Sequence, residues 1–522
     1  MLRSQNTSGQ IVLVSKDIAY AFPFGIAYLA GYLRQKGEDV RVLFRPDNPA
    51  HYRDFVRRVV ALKPLLVGFG SLYPDLYEVR ELVRILCEER RSFPVVIGGQ
   101  MVSPTPEFAV EITGADYGAI GEGEIIFYEL VNALREHRDP SDVKGLAIRD
   151  GKLVKLTGPG EFIDDLSKLP PVPYDMFPAE KWLPIGRYYV GMAQPHWRYN
   201  DRVISIHGGR GCPYKCNFCY HHSKDRYRSI SEMVAEADEL LHRYDANMLY
   251  FGDDLVLSGP RRAQELTESL AKLKRPIEYS VSCRFDILSR IDDNVLREMK
   301  RTGCRTMGLG VESGSQRILD IMHKGTTVDQ IVTGLRRLKD VGILPTVSIM
   351  VGQLSETVED VKQSMALMIE TVRYDKNIQY AFTITTPFPG TELYYIALQK
   401  GILKDHHDFY ERFDPKIQMF EVSVNLSNMS DTEVEAVRTK LDMTFRQEKE
   451  KAIGRNVLMV ESSRRRLARI DRGFRKKVIS RLPDARMVMV LPQLYGWLYN
   501  RTQILLDKWR LQLLGIPTVR RQ

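Results

Sequence analysis

Short apolar runs alternate with longer amphipathic stretches over the first 150 residues of the chain. The stretches between the runs, for example 28–33 and 79–86, repeat their apolar positions at helical spacing. The runs themselves have strand length and lie at Ile11–Val14, Val40–Leu43, Leu65–Phe69, Val95–Ile97 and Tyr117–Ile120. This alternation predicts an α/β fold whose first domain is a doubly wound, Rossmann-like domain with a parallel sheet.

A second series of strands and helices begins near residue 203 and predicts a partial (βα)6 barrel. Its strands are predicted at Val203–Ile206, Met248–Phe251, Ile277–Ser282, Thr306–Gly310, Thr346–Val351 and Ala381–Thr385. A capping box that begins at Ser430 predicts a helix packed on this barrel. The predicted organisation is therefore a first domain, a Pro-rich linker, the barrel and an α-helical C-terminal extension, over residues 1–150, 151–195, 196–425 and 426–522.

Charge is unevenly distributed along the 522 residues, whose formal net charge is +9. Residues 451–522 contain 17 Lys and Arg but only 4 Asp and Glu, so the preceding part of the chain is mildly acidic. Six cysteines in a chain of this size argue for a reducing compartment rather than a disulfide scaffold. Because the sequence shows no signal-peptide stretch and no apolar run of about 18 residues, we expect a cytoplasmic protein.

Three cysteines, Cys212, Cys216 and Cys219, follow the first barrel strand with the spacing C-x₃-C-x₂-C. Thiolates clustered on one loop suit an iron–sulfur cluster, and three of them leave one iron open to another ligand. A zinc knuckle completed by His221 or His222 and a redox pair of Cys216 with Cys219 are the alternatives.

Phe218 directly precedes the third cysteine, and the whole pattern resembles the signature of the radical S-adenosylmethionine (SAM) enzymes. This resemblance implies a [4Fe–4S] cluster whose open iron binds SAM, with Phe218 beside the cofactors. It also implies an external electron donor of the flavodoxin or ferredoxin kind, whose electron splits SAM to a 5′-deoxyadenosyl radical.

Polar or glycine residues follow the later barrel strands, at the end where barrel chemistry lies. The resemblance to radical SAM enzymes implies that Asp253 or Asp254 binds the SAM amino group and that Arg284 binds its carboxylate. It further implies that Glu312 binds the ribose and that the turn at Gly352 lies beside the adenine. Taken singly, each of these residues could instead be a solvated rim group.

Glycines stand at the carboxyl ends of the first-domain strands, where they let a backbone approach a flat ligand closely. With their flanking residues they resemble the cobalamin-binding domain of cobalamin-dependent radical SAM enzymes over residues 8–140. The resemblance implies cobalamin contacts at Gly25, Gly70, Ser71, Gly98, Gly99, Gly121 and Glu122. Because the chain lacks the Asp-x-His-x-x-Gly motif of the wider cobalamin family, we expect the cobalt to have no protein histidine ligand. The alternative is a degenerate domain that has lost the cofactor.

The combined resemblance implies an enzyme that methylates an unactivated carbon of a small, lipid-like substrate. An anaerobic oxidative cyclase or hydroxylase, or a radical C–C coupling enzyme acting on a tetrapyrrole or a lipid, shares this architecture and is the alternative. A nucleic-acid substrate is not expected, because methylthiotransferases acting on tRNA carry a second cysteine trio in the first domain, where Cys87 stands alone.

The basic tail contains an amphipathic pattern over residues 464–482, with one apolar face surrounded by Arg and Lys and with Trp and Tyr further along. Such a helix suits the surface of an anionic membrane, so we expect peripheral association with the inner membrane surface. The alternatives are an apolar face that packs on the protein, with merely solvated charges, and binding to RNA.

Overall fold

The fold was analysed in a computed structural model, which describes residues 9–17, 22–184, 201–220, 224–415 and 420–454. The predicted basic helix at 464–482 and the two histidines 221 and 222 lie outside these residues. Within the described part of the chain, no helix is long and apolar enough to cross a membrane.

The first domain contains a seven-stranded sheet in the order β2-β1-β3-β4-β5-β6-β7. Its strands are β1 (Ile11–Lys16), β2 (Val40–Arg45), β3 (Leu66–Gly70), β4 (Val95–Gly98), β5 (Tyr117–Ala119), β6 (Leu146–Asp150) and β7 (Leu153–Leu156). The first five strands pair in parallel, which confirms the predicted doubly wound arrangement. Since β2 and β3 flank β1, the strand order reverses between β1 and β3, and ligands of such sheets bind in the crevice at that point.

The last two strands of this sheet were not predicted from the sequence. β6 pairs antiparallel with β5, and β7 pairs antiparallel with β6. A turn in which Gly151 has a φ of +62° joins β6 to β7. The sheet therefore continues past residue 150, where the linker was predicted to begin. Two short strands joined by a tight turn add to a sheet edge without the helix that marks a parallel unit.

Helices cover both faces of the first sheet. They are α1 (Phe24–Gln35), α2 (Tyr52–Ala61), α3 (Leu76–Glu88), α4 (Pro106–Thr113) and α5 (Gly123–Arg135). The apolar faces of α1 and α5 belong to one buried cluster, and those of α2, α3 and α4 belong to another. Short 3₁₀ turns lie at Pro49–His51, Tyr73–Asp75, Pro140–Asp142, Leu166–Lys168 and Tyr174–Met176.

The second domain contains a six-stranded sheet in the order β15-β14-β13-β12-β11-β8, with every pair parallel. Its strands are β8 (Val203–Ile206), β11 (Met248–Phe251), β12 (Glu278–Cys283), β13 (Cys304–Glu312), β14 (Leu344–Val351) and β15 (Gln379–Ile384). Since spatial order follows chain order and the terminal strands do not pair, the sheet is an open barrel of six βα units, as predicted. A small antiparallel hairpin of β9 (Gly209–Arg210) and β10 (Arg226–Tyr227), which was not predicted, encloses the cysteine loop.

The helices of the second domain surround this sheet. They are α6 (Ile230–Arg243), α7 (Pro260–Leu270), α8 (Phe285–Leu288), α9 (Asp293–Arg301), α10 (Gln316–Ile321), α11 (Val328–Val341), α12 (Val358–Tyr374), α13 (Glu392–Gln399), α14 (His406–Arg412) and α15 (Asp431–Ile453). The capping box at Ser430 starts α15, and Val434 and Leu441 of this helix are fully buried against the barrel. The predicted packing of this helix is therefore confirmed.

Aromatic residues join the two domains. Tyr77 of α3 stacks on Tyr410 of α14 with ring centroids 4.3 Å apart. The Tyr77 hydroxyl lies 2.5 Å from the carbonyl oxygen of Tyr410 and 2.7 Å from that of Phe413. Because this joint combines a ring stack with hydrogen bonds to the backbone, it fixes the first domain against the C-terminal part of the barrel.

Candidate active site

The predicted SAM residues meet at the carboxyl ends of the barrel strands. The cysteine loop leaves β8, and residues that follow β11, β12 and β13 contact the segment from Gly208 to Asn217. Gly352 follows β14 at the same end of the sheet. Asn217 anchors the loop, since its Nδ2 donates to the carbonyl oxygen of Ile321 at 2.7 Å and its backbone N–H donates to that of Met322 at 3.1 Å. The loop is thus held by the end of α10, a contact between residues about a hundred positions apart.

All three cysteines of the loop are free thiols. Cys216 is buried, whereas Cys219 is exposed. A hydrogen bond between these two thiols, together with the charges of Lys324 and Arg284, lowers the pKa of Cys216 below its ordinary value. Burial raises the pKa of Cys212. The loop therefore presents one readily formed thiolate and two neighbours that an iron–sulfur cluster would deprotonate on binding.

The three thiols of the loop fit an iron–sulfur cluster. Each cysteine of a cluster binds a different iron, so its sulfurs need not converge on one point. The three thiols supply three such ligands, and a fourth position would remain open.

Arg284 lies against the cysteine loop. Its guanidinium stacks on the Tyr214 ring at 3.5 Å from the centroid, and its Nη1 donates to the sulfur of Cys216 at 3.6 Å. Nε donates to Asp286 at 2.9 Å, and Nη2 donates to the carbonyl oxygen of Lys324. The guanidinium predicted to grip the SAM carboxylate thus has protein partners on all three nitrogens.

Glu312 forms a buried ion pair that the sequence did not indicate. Its Oε1 accepts from Lys324 at 2.9 Å, and its Oε2 accepts from Ser348 at 2.9 Å. The pair packs over Gly310, where an added Cβ would lie 1.9 Å from the Glu312 carboxylate. Lys324 also lies 5.7 Å from the centroid of the Phe218 ring. The sequence did not predict that Lys324 is buried. This lysine follows the short helix α10 and belongs to no periodic pattern of apolar residues.

The structure separates the two aspartates after β11. Asp253 is buried and its Oδ1 accepts from the Gly208 N–H at 2.7 Å, whereas Asp254 is exposed. Burial raises the pKa of Asp253 to about 7. Its Oδ2 is buried with no hydrogen-bond partner in the described protein, so this atom can accept from a bound ligand.

The turn at Gly352 is held by a second buried acid. Gly352 has a φ of +81°, and its N–H donates to Glu356 at 2.7 Å. Burial raises the pKa of Glu356 to about 7. An added Cβ on Gly352 would lie 3.1 Å from Val434 of α15, so this helix covers the turn.

The predicted cobalamin residues form the carboxyl edge of the first sheet, but they are not equivalent. A Cβ added at Gly70 would lie 2.8 Å from Ile26, and one added at Gly98 would lie 3.6 Å from Ala119. A Cβ added at Gly99 would lie 2.7 Å from the carbonyl oxygen of Ser71. Gly70 and Gly99 therefore permit close packing within the domain, whereas a side chain at Gly98 would make ordinary van der Waals contact. At Gly25 and Gly121, in contrast, no atom of the described residues lies within 4 Å of an added Cβ.

The edge has the properties of a site for a large flat ligand. Besides the open surface at Gly25 and Gly121, the side chain of Leu72 next to Ser71 is 56% exposed. These residues follow β1, β3 and β5, near the point where the strand order reverses. Among the described residues this edge is open and partly apolar, which fits cobalamin.

The side chain of Glu122 forms ion pairs with two arginines of the second domain. It pairs with Arg210 of β9 at 2.9 Å and with Arg226 of β10, while the neighbouring Glu124 pairs with Arg210 at 2.6 Å. All four side chains are at most 10% exposed. Glu122 thus links the carboxyl edge of the first sheet, which carries the glycines and is called the glycine edge below, to the hairpin around the cysteine loop.

Further contacts bring the two candidate cofactor sites face to face. Phe24 at the start of α1 lies 4.9 Å from the His207 ring, measured between centroids, and an added Cβ on Gly252 would lie 2.7 Å from Phe24. Next to Cys219, the Tyr220 ring occupies the space beside Gly390, which Pro104 of the first domain also lines. The first domain therefore contacts the cysteine loop and the neighbouring strand ends of the barrel.

The remaining barrel cysteines are poor candidates for chemistry. Cys283 and Cys304 are both buried, and burial raises the pKa of each to about 12. A neutral buried thiol behaves as a small apolar side chain.

Comparison with known proteins agrees with this arrangement. Residues 206–368 match the Radical SAM superfamily, and residues 12–131 match the B12 binding domain. An uncharacterized methyltransferase of Pyrococcus horikoshii is 28% identical over 393 residues, which cover 73% of this chain and 79% of the relative. The anaerobic magnesium-protoporphyrin IX monomethyl ester cyclase of Rubrivivax gelatinosus is 28% identical over 383 residues, which cover 71% of this chain and 65% of the relative.

A solved structure shares the fold across both domains. The cobalamin-dependent S-adenosylmethionine radical enzyme OxsB, with aqua-cobalamin and S-adenosylmethionine bound, superposes with a TM-score of 0.66 at 15% identity. The superposition covers 97% of this chain and 75% of that chain.

Proposed function

Because the chain belongs to the cobalamin-dependent radical SAM enzymes, we propose that it methylates an unactivated carbon of a small, lipid-like substrate. The observation that carries the proposal is the contact between the carboxyl edge of the first sheet and the segment around the cysteine loop, through Glu122 and Phe24. A substrate carbon held between the two would lie near both cofactors, as a radical methyl transfer requires.

The chain's own residues bind and orient, while the cofactors supply the difficult chemistry. When bound, the cluster supplies the electron that cleaves SAM, and cobalamin carries the methyl group. Asp253 offers an unpartnered carboxylate oxygen for the SAM amino group. Glu312, held by Lys324 and Ser348, offers a fixed carboxylate for the ribose hydroxyls. The exposed side of the loop at Cys219 leaves room for an external one-electron donor of the flavodoxin or ferredoxin class.

An oxidative cyclisation is the second candidate. It is supported by the cyclase relative, which is as similar in sequence as the methyltransferase relative. Both reactions need the same two cofactors in one space, so the reaction products must distinguish them. A tetrapyrrole substrate belongs to this alternative.

The test is anaerobic reconstitution with iron, sulfide and hydroxocobalamin, followed by turnover with reductant, SAM and extracted membrane lipids. Methylated lipid, with both 5′-deoxyadenosine and S-adenosylhomocysteine, is the expected result. 5′-Deoxyadenosine with a cyclised or coupled product and no S-adenosylhomocysteine would contradict methyl transfer. Cys216→Ala is expected to abolish 5′-deoxyadenosine formation, and an undiminished yield would rule out the cluster assignment.

Gly25→Leu tests cobalamin binding at the glycine edge directly. A Cβ added at Gly25 meets no atom of the described residues within 4 Å, and the residue has no positive φ, so the variant should fold normally. We expect loss of bound cobalamin in the visible spectrum, with iron content unchanged. Gln35→Leu, at the far end of α1, is the matched control and should bind cobalamin as the parent does. Full cobalamin binding by Gly25→Leu would contradict the site.

A further inference from the structure

Arg284 occupies an unexpected position for a SAM-binding residue. It is only 7% exposed, and its guanidinium lies between the Tyr214 ring and the sulfur of Cys216. The sequence places it at the end of β12, where the resemblance implies a carboxylate-binding role. Its position instead directs an N–H at a cluster ligand.

The surrounding contacts fix that orientation. Asp286 accepts from Nε of Arg284 at 2.9 Å and also accepts from the Tyr214 hydroxyl at 2.6 Å. The carbonyl oxygen of Lys324 accepts from Nη2. Because the guanidinium is planar and its other nitrogens are engaged, rotation of Nη1 away from Cys216 would break several bonds at once.

Such a contact bears on the redox properties of the bound cluster. Hydrogen bonds to ligand sulfurs and nearby positive charge stabilise the reduced, more negative form of an iron–sulfur cluster. The negative charge of Asp286 offsets part of the positive charge of Arg284. The effect of Arg284 on the cluster therefore comes mainly from the directed N–H···S hydrogen bond. Lys324 is likewise balanced by Glu312.

We propose that Arg284 is a positioning residue that donates a hydrogen bond to the cluster ligand Cys216 and raises the reduction potential of the cluster. An external donor of the flavodoxin or ferredoxin class then reduces the cluster more readily. This inference rests on cluster binding and not on methyl transfer, so it is tested without substrate and independently of the proposed reaction.

The test is a potentiometric titration of the reconstituted full-length protein, followed by electron paramagnetic resonance of the reduced cluster. At the potential where the parent is half reduced, Arg284→Gln should show a reduced-to-oxidised ratio lower by about tenfold. For a one-electron couple this ratio corresponds to about 59 mV. Arg284→Lys, which retains the charge, should recover part of the loss.

Arg275→Gln is the matched control. This half-buried arginine also donates to backbone carbonyls, those of Leu241 and Ala246, but lies at the opposite end of the barrel. Its potential should equal that of the parent. If Arg284→Gln keeps full iron content and the parent potential, or loses only SAM affinity, the proposal is wrong and Arg284 is a SAM ligand or a structural residue.

A measurement on the parent protein covers the case in which Arg284→Gln fails to assemble a cluster. Protein labelled with ¹⁵N in the arginine guanidinium groups should show a weak nitrogen hyperfine coupling to the reduced cluster. That coupling should be absent from Arg284→Lys. A parent spectrum without it would overturn the hydrogen bond.

Discussion

Two buried carboxylates, Asp253 and Glu356, hold backbone turns at the mouth of the barrel. Each accepts a hydrogen bond of 2.7 Å from a glycine N–H, at Gly208 and Gly352 respectively. Burial raises the pKa of both to about 7, since few polar atoms replace the lost water. These groups therefore change protonation state near neutral pH, where an ordinary carboxyl does not.

The raised pKa of Asp253 predicts a pH dependence of stability. The ordinary pKa is 3.8, so the folded protein binds an extra proton between about pH 4 and pH 7. The free energy of unfolding therefore decreases as pH rises through this range. Asp253→Asn removes that ionisation. Between pH 5.5 and 8 the Tm of the parent should fall relative to that of the variant, and the difference corresponds to about 2 kcal/mol in the free energy of unfolding.

The exposed neighbour provides the control for this prediction. Asp254→Asn makes the same chemical change at the adjacent, exposed carboxylate and is the matched control. Parallel Tm profiles for the parent and Asp253→Asn would show that Asp253 stays ionised in the folded protein.

At the scale of elements, the β9–β10 hairpin links the cysteine loop to the first domain. Arg210 and Arg226, one on each strand, pair with acids at the start of α5. Opposite charges that leave water together are strongly coupled, and removing one partner leaves the other buried and uncompensated. The hairpin therefore holds the two candidate cofactor sites in a fixed relation.

A double-mutant cycle tests this link. For Glu124→Gln and Arg210→Gln we expect a coupling energy of about 1–3 kcal/mol in the first unfolding transition in guanidinium chloride. The exposed pair Glu239 and Arg243 of α6, replaced in the same way, should give less than about 0.5 kcal/mol. Equal coupling in the two cycles would show that burial of the interdomain pair has no effect.

At the scale of the whole molecule, two domains with separate folds contact each other beside the candidate cofactor residues. The aromatic joint at Tyr77 and the ion pairs at Glu122 lie on different elements of the first domain. Contacts at two places restrict rotation of one domain against the other more than either contact would alone. The site is thus a property of the assembled chain rather than of either domain.

The basic tail leads to a prediction about location. The described body ends at α15, so truncation after Gly454 leaves every described helix and strand intact. We propose that residues 455–522 bind an anionic membrane surface, where each basic residue contributes about 1 kcal/mol. The full-length protein should co-sediment with phosphatidylserine vesicles at low salt, and the truncated protein should remain in the supernatant.

Two controls define this experiment. Neutral phosphatidylcholine vesicles should retain little of either protein, and raised salt should release the full-length protein from anionic ones. Equal sedimentation of the full-length and truncated proteins would place the membrane contact elsewhere or exclude it.

The sequence by itself determined the cysteine loop and the strands of the two large sheets, except for the short strands β6 and β7. It did not predict the hairpin strands β9 and β10. Periodicity and motif spacing are local properties, and long apolar runs have few alternatives to burial in a parallel sheet. It also identified Gly25 and Gly121 at the ends of strands, where the structure leaves open surface.

Only the tertiary structure decided which side chains meet. It buried Asp253 and exposed Asp254, although the two are adjacent in sequence. It also brought Lys324 to Glu312 and turned Arg284 toward Cys216. Such partners lie up to tens of residues apart, and a pattern within one strand or helix carries no information about them. Burial and charge pairing across the assembled barrel therefore set the chemistry of residues that the motifs could only locate.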